Sequence, residues 1–84
     1  MNLRTIDLNL LPILEAIYVE RSLTRASESL HITQPAVSNA LARLRVHFED
    51  PLFVREGRGV KPTAMADALM PAVRDALDRL RAGL

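Results

Sequence analysis

Between Ser22 and Arg45 the chain reads SLTRASESLHITQPAVSNALARLR, and no other stretch limits its fold as much. Ser22 precedes a short pattern in which Leu23, Ala26 and Leu30 share one helical face while Thr24, Arg25 and Glu28 turn away, so Ser22 is the expected N-cap. Only His31 and Ile32 separate this pattern from Thr33, a second N-cap residue. Gln34 and Pro35 follow in the first turn of the next helix, where a fixed φ and a missing N–H are tolerated. Two helices are therefore joined by a tight turn.

In the second of these helices Val37, Leu41, Leu44 and Phe48 recur at helical spacing and form one apolar stripe that must face a core. The opposite side carries Pro35, Asn39 and Ala42, with Ser38 on its flank and Gln34 at the exposed first turn. No long charged side chain appears there before Arg43 and Arg45, whereas a merely solvated face usually carries Lys and Glu. Small side chains let a helix backbone come close to a partner. Gln, Asn and Ser can both donate hydrogen bonds to base edges and accept them.

Around this unit the periodicity predicts a helix from Asp7 to about Val19, with Leu10, Ile13, Leu14 and Ile17 inward, Pro12 near its start and Asp7 as N-cap or first-turn acid. Beyond Phe48 the helical period stops at Glu49-Asp50-Pro51. Two extended runs follow, 52–55 and 60–62, around Glu56-Gly57-Arg58-Gly59, which reads as a β-hairpin with a basic tip. The last segment, 63–84, reads as a long helix in which Leu69, Val73, Leu77, Leu80 and Leu84 are spaced like a coiled-coil seam. Pro71 should bend that helix unless it begins beyond the proline. The pattern runs to the last residue without a stop signal, so the chain is expected to be cut inside a helix.

At 84 residues the chain holds one small module, and its 49% hydrophobic and 25% charged residues suit a folded helical domain. It has no Cys, and His31 and His47 have no second ligand pair beside them, so no metal site is expected. No nucleophile with a base, no paired carboxylates and no phosphate loop occurs at a workable spacing, and Glu15 and Glu20 fall on a short surface helix, so an enzyme is not expected. No apolar run approaches membrane-spanning length, and Asp7 and Asn9 interrupt the opening residues. A cytoplasmic protein follows as the expectation. The net charge of +1 hides a gradient: residues 1–20 hold Arg4 against Asp7, Glu15 and Glu20, while 62–84 balance. Residues 21–61 hold Arg21, Arg25, Arg43, Arg45, Arg55, Arg58 and Lys61 against only Glu28, Glu49, Asp50 and Glu56. Basic charge is concentrated in the central segment.

The order helix, helix, tight turn, helix, hairpin, long helix is that of a winged helix-turn-helix. The stretches DLNLLPILEAIYVERSLTRASESLHITQPAVSNALARLR, PLFVR and VKPTAMADAL resemble the N-terminal DNA-binding domain of LysR-type transcriptional regulators over nearly the whole chain. The resemblance implies a mainly α fold of three helices and a short β-hairpin wing in residues 1–62, followed by a linker and dimerisation helix in 63–84. It implies a bacterial, cytoplasmic regulator whose effector-binding domain, absent here, would take the small-molecule effector, leaving no cofactor for this chain. The implied partner is double-stranded DNA. A homodimer would form through antiparallel linker helices at Leu69, Val73, Leu77 and Leu80, with a tetramer as a further option for the full-length protein. Its two recognition helices, residues 33–46, would enter successive major grooves of an interrupted inverted repeat.

Matched residue by residue, the family pattern puts Gln34, Pro35, Ala36, Ser38 and Asn39 at base edges. Gln34 and Asn39 suit adenine and Pro35 and Ala36 a thymine methyl, each good bidentate contact discriminating by roughly 1–3 kcal/mol. Ser22, Thr24, Arg25, Thr33 and Arg43 would hold the phosphate backbone, and Arg55 and Arg58 would reach the flanking backbone or minor groove. Asn39 stands where many relatives carry Arg, and Arg45 and Glu49 where many carry Glu and Gly. The alternative is a helical protein-interaction or dimerisation module that does not bind DNA, for which the basic middle segment would be incidental.

Overall fold

The computed structural model describes residues 6–84. Arg4, counted in the N-terminal charge balance, lies outside the described residues. A 3-10 turn at Leu8–Leu10 leads into α1 (Leu11–Glu20), followed by α2 (Leu23–Leu30) and α3 (Gln34–Phe48). An antiparallel hairpin of β1 (Phe53–Glu56) and β2 (Gly59–Pro62) then precedes α4 (Ala64–Gly83). The expected order of elements is the observed one.

The first helix is shorter than its apolar period suggested. Asp7 does cap, accepting the Asn9 N–H at 2.9 Å, but what it caps is the 3-10 turn. The reason is Pro12, which has no N–H to offer the Leu8 carbonyl one α-turn back. Leu11 bonds that carbonyl instead, in the tighter i→i+3 pattern, and the α-helix starts there. The two caps flanking the tight turn form as expected: Ser22 Oγ accepts the Arg25 N–H at 3.1 Å and Thr33 Oγ1 accepts the Ala36 N–H at 3.2 Å. Between them His31 takes a left-handed conformation at φ 57°, and the His31 and Ile32 N–H groups close α2 on the Glu28 and Ser27 carbonyls.

The core is built on α1 and α3. Leu14 and Ile17 of α1 pack against Ala26 of α2, Val37, Ala40, Leu41 and Leu44 of α3, and Met70, Val73 and Leu77 of α4. Each fully buried large side chain contributes about 1.5–3 kcal/mol. Phe48, expected to share the inward stripe of α3, is only half-buried, because the stripe reaches the end of the helix where the core runs out. Leu23 and Leu30 are likewise half-buried, while Ser27 is buried and satisfies its hydroxyl on the Thr24 carbonyl at 2.7 Å.

The hairpin pairs Phe53 with Pro62, Val54 with Lys61, Arg55 with Val60 and Glu56 with Gly59. Its loop is therefore only Gly57-Arg58, tighter than the four-residue loop expected. Leu52, expected to open the first strand, is instead buried at φ 64° just before it. Thr63 caps α4 by accepting the Ala66 N–H at 3.2 Å, so this helix begins before Pro71 and contains it. Pro71 and Asp67, whose carbonyl the missing N–H leaves unpaired within the helix, are both exposed, and water can take the acceptor. Among the described residues no helix is long and apolar enough to cross a membrane.

Polar contacts fix α4 on α1. Glu15 lies 2.7 Å from Arg81 Nη2 and 3.5 Å from Arg74 Nε, and its side chain is only 13% exposed rather than the solvated acid that the sequence suggested. Tyr18 Oη donates to Asp67 at 2.8 Å.

Candidate nucleic-acid interface

Tight turn and hairpin together build one concave surface. The N-terminal ends of α2 and α3 converge beside the hairpin and enclose a cleft of about 290 Å³. Ser22 and Thr24 line it from α2, Gln34 and Ser38 from α3, and Arg55 and Arg58 from the hairpin. Six residues singled out in the sequence from three separate stretches are thus brought together.

The polar groups there keep hydrogen-bonding capacity to spare. Ser22 accepts one backbone N–H through Oγ as a cap and retains its hydroxyl proton, as does Thr33 at the next helix. Both helices present the positive ends of their dipoles in this region, where the first backbone N–H groups have no intrahelical acceptor. Gln34 Nε2 donates to Thr24 Oγ1, so the two side chains hold one another, leaving the second amide proton and the amide oxygen of Gln34 for a partner.

Further along α3, Pro35, Ala36, Ser38 and Asn39 are exposed, while Val37, Ala40 and Leu41 are buried. The outer face is therefore small, polar and open to close approach. Arg25 is exposed beside the cleft without lining it. Arg43, lower on α3, lies 3.4 Å from Asp7 in an exposed ion pair, of a kind that contributes little and is easily exchanged for another anion.

Not all of the basic middle segment faces outward. Arg45 donates through Nε to the Pro51 carbonyl at 2.7 Å and through Nη2 to the Phe53 carbonyl at 2.9 Å, clamping the base of the hairpin to α3. Arg21 ends α1 in a left-handed conformation, stacks over the Tyr18 ring at 4.6 Å and donates to the Tyr18 carbonyl at 2.6 Å. Its own carbonyl accepts the Val60 N–H at 2.9 Å, which docks the hairpin on the α1–α2 connection. Lys61 pairs with Glu56 at 3.3 Å. Among the described residues, that leaves Arg25, Arg55 and Arg58 of the segment with neither an ion pair nor a hydrogen bond from the guanidinium. Sequence reasoning missed the structural duties of Arg21 and Arg45, because both depend on backbone carbonyls positioned by the fold.

The residues expected at a dimer seam lie elsewhere. Leu8 and Leu11, Phe48, and Leu69, Val73, Leu77 and Leu80 of α4 line an apolar groove of about 380 Å³, with Ala72 and Ala76 between them. Val73 and Leu77 are buried within the chain's own core, Leu69 is half-buried, and Leu80 is 58% exposed. Groove and cleft share no residue. Among the described residues there is no cluster of His, Cys, Asp or Glu fit to hold a metal ion.

The chain has relatives among known proteins. The family model described as "Bacterial regulatory helix-turn-helix protein, lysR family" matches residues 8–67. The HTH-type transcriptional regulator LeuO of Escherichia coli is 56% identical over 75 residues, covering 89% of this chain and 24% of LeuO. The crystal structure of the probable transcriptional regulator PA0477 from Pseudomonas aeruginosa superposes with a TM-score of 0.95 at 44% identity, over 98% of this chain and 28% of that one. The DNA-binding domain of BenM, solved in complex with benA site 1 DNA, superposes with a TM-score of 0.84 at 26% identity, over 92% of this chain and 90% of that one. The chain thus spans about a quarter of the length of LeuO and of PA0477.

Proposed function

The chain belongs to the lysR family of bacterial regulatory helix-turn-helix proteins, and we propose that it is the DNA-reading head of a cytoplasmic transcriptional regulator, binding double-stranded DNA sequence-specifically as a homodimer. One observation carries this reading: the cleft in which Ser22, Thr24, Gln34 and Ser38 meet Arg55 and Arg58 beside two helix N-termini. On this reading the exposed face of residues 33–46 enters the major groove. Gln34, Pro35, Ala36, Ser38 and Asn39 then meet base edges, where Gln and Asn match the donor and acceptor pair of adenine. Ser22, Thr24, Arg25, Thr33 and Arg43 hold phosphates, Arg43 exchanging Asp7 for one. The hairpin acts as a wing whose Arg55 and Arg58 reach the flanking backbone or minor groove. The apolar groove along α4 takes the same helix of a second copy, so that two recognition helices address an interrupted inverted repeat. Effector binding and any tetramer belong to a C-terminal domain beyond these residues.

The test is a fluorescence anisotropy titration at two salt concentrations, using a duplex with an interrupted palindrome selected by the chain from a random pool and a random-sequence duplex. Affinity for both should fall steeply with salt as counterions are released, with the preference for the palindrome surviving. Gln34→Ala should cost about 1–3 kcal/mol on the selected site and little on random DNA, whereas Arg25→Ala should weaken both alike and flatten the salt slope by about one. Absence of binding at low salt would leave the protein-interaction module as the answer.

A further inference from the structure

The hairpin leaves α3 through a strained turn that side chains brace from both flanks. Leu52, buried and at φ 64°, sits at the centre of an i→i+2 hydrogen bond in which the Phe53 N–H reaches the Pro51 carbonyl at 2.7 Å. This is the pattern of the rarer, strained γ-turn, and a leucine holds it only when the surroundings over-determine it. They do so from two sides. Arg45 of α3 donates to the carbonyls at both ends of the turn, Pro51 and Phe53. Asp50 Oδ2 accepts the Leu52 N–H at 2.8 Å and also the Thr63 hydroxyl at 2.6 Å. Thr63 returns its N–H to the Leu52 carbonyl at 2.9 Å and spends its remaining acceptor capacity as the cap of α4. One carboxylate oxygen therefore joins the turn that aims β1 to the residue that starts the linker helix. β1 carries Arg55 only two positions beyond Phe53, so the direction of the turn sets where that arginine lies.

We propose that Asp50 is a positioning residue for the wing arginines: with Thr63 it holds the turn at Leu52 that aims the hairpin, and so ties the placement of Arg55 and Arg58 to the start of α4. A tilt of the linker helix within a dimer would then be passed to the wing through this junction. The inference rests on the proposed DNA contact of the wing. Asp50 itself touches no DNA on this reading.

Asp50→Ala is tested by anisotropy on the selected duplex, in the unaltered 84-residue chain and in a chain already carrying Arg55→Ala and Arg58→Ala. Acting through the wing, it should lower affinity by about tenfold in the first, the scale of one lost charge-assisted hydrogen bond, and leave the second unchanged. Thr63→Val should repeat the effect, and Thr63→Ser, which keeps the hydroxyl, should not. Equal losses in both backgrounds overturn the proposal, since a merely destabilised domain would lose affinity with or without its wing arginines. Should Asp50→Ala not fold, Thr63→Val serves in the same comparison. A second arm needs no DNA. In the free chain, NMR order parameters of the wing amides should fall in Asp50→Ala and in Thr63→Val while those of α1 to α3 hold, and unchanged wing amides in both overturn the proposal whatever the chain binds. Loss of all DNA binding by the unaltered chain would instead reject the functional reading beneath it.

Discussion

At Gly59 an added Cβ would stand 2.4 Å from the Arg21 carbonyl oxygen, the same oxygen that accepts the N–H of Val60. Neither atom is the end of a flexible side chain, so the hairpin would have to lift away from the α1–α2 connection. Gly59→Ala should therefore destabilise the domain by about 1–3 kcal/mol, the usual range for forcing volume into a packed site. At this chain length the melting temperature falls roughly 4–8 °C per kcal/mol, which thermal unfolding followed by circular dichroism would register. An unshifted melting temperature would mean the wing is not docked on that carbonyl. Gly57 is the contrast: its φ is +58° with nothing within 4 Å, so Gly57→Asn, a residue that tolerates the left-handed region, should be nearly neutral. The tip glycine is legible in the sequence because turn chemistry is local. The docking glycine is not, because the atom it must avoid belongs to a residue far back along the chain. Asp50 is opaque for the same reason: in the sequence it is only part of the stop at Glu49-Asp50-Pro51, and the fold brings the Leu52 N–H and the Thr63 hydroxyl to one of its oxygens.

Elements were legible to the extent that their ends follow local chemistry. Ser22, Thr33 and Thr63 announce helix starts because a hydroxyl at the N-cap acts on its own first turn. The C-terminal ends carry no such mark. Arg21, His31 and Glu49 all close helices in the left-handed region without being glycine, held there by capping hydrogen bonds and by what packs around them. The pairing of α1 with α4 was equally hidden, since it depends on Glu15 meeting Arg74 and Arg81 and on Tyr18 meeting Asp67. The second contact can be read spectroscopically, because Tyr18 is the only tyrosine in the chain. Its hydrogen bond to Asp67 raises the phenol above the usual 10.0, with desolvation and the Asp67 charge acting in the same direction. A group whose folded value is raised contributes stability that is complete below the unfolded value and is lost as pH climbs through the folded one. The phenol's share of the tie between α1 and α4 is therefore present at neutral pH and lost in alkali. Titration of the absorbance at 295 nm should give a midpoint above 10.0 that Asp67→Ala brings back towards it, while a midpoint that ignores Asp67 would sever the contact from the shift.

For the molecule as a whole, the separation of its two open surfaces matters more than either alone. The cleft is polar and basic, and the groove along α4 is lined almost wholly by carbon. On the proposed function, this apolar surface is where a second copy docks. Leu80 is its most exposed large member on α4, whereas Val73 and Leu77 support the fold from beneath. A charge at Leu80 should thus act on association without undermining the core, and because groove and cleft have no residue in common it should leave each DNA-reading surface intact. Two heads joined in a dimer convert the second half-site contact into an intramolecular event, which strengthens overall binding by at least about 100-fold when the geometry permits both. Leu80→Asp should accordingly sediment as a monomer where the unaltered chain sediments as a dimer, bind the complete inverted repeat about 100-fold more weakly, and bind a single half-site as before. Sedimentation velocity and anisotropy on the two duplexes separate the possibilities. A variant that stays dimeric would move the interface off α4, and an equal loss on the half-site would show that the groove and the reading surface are not independent after all.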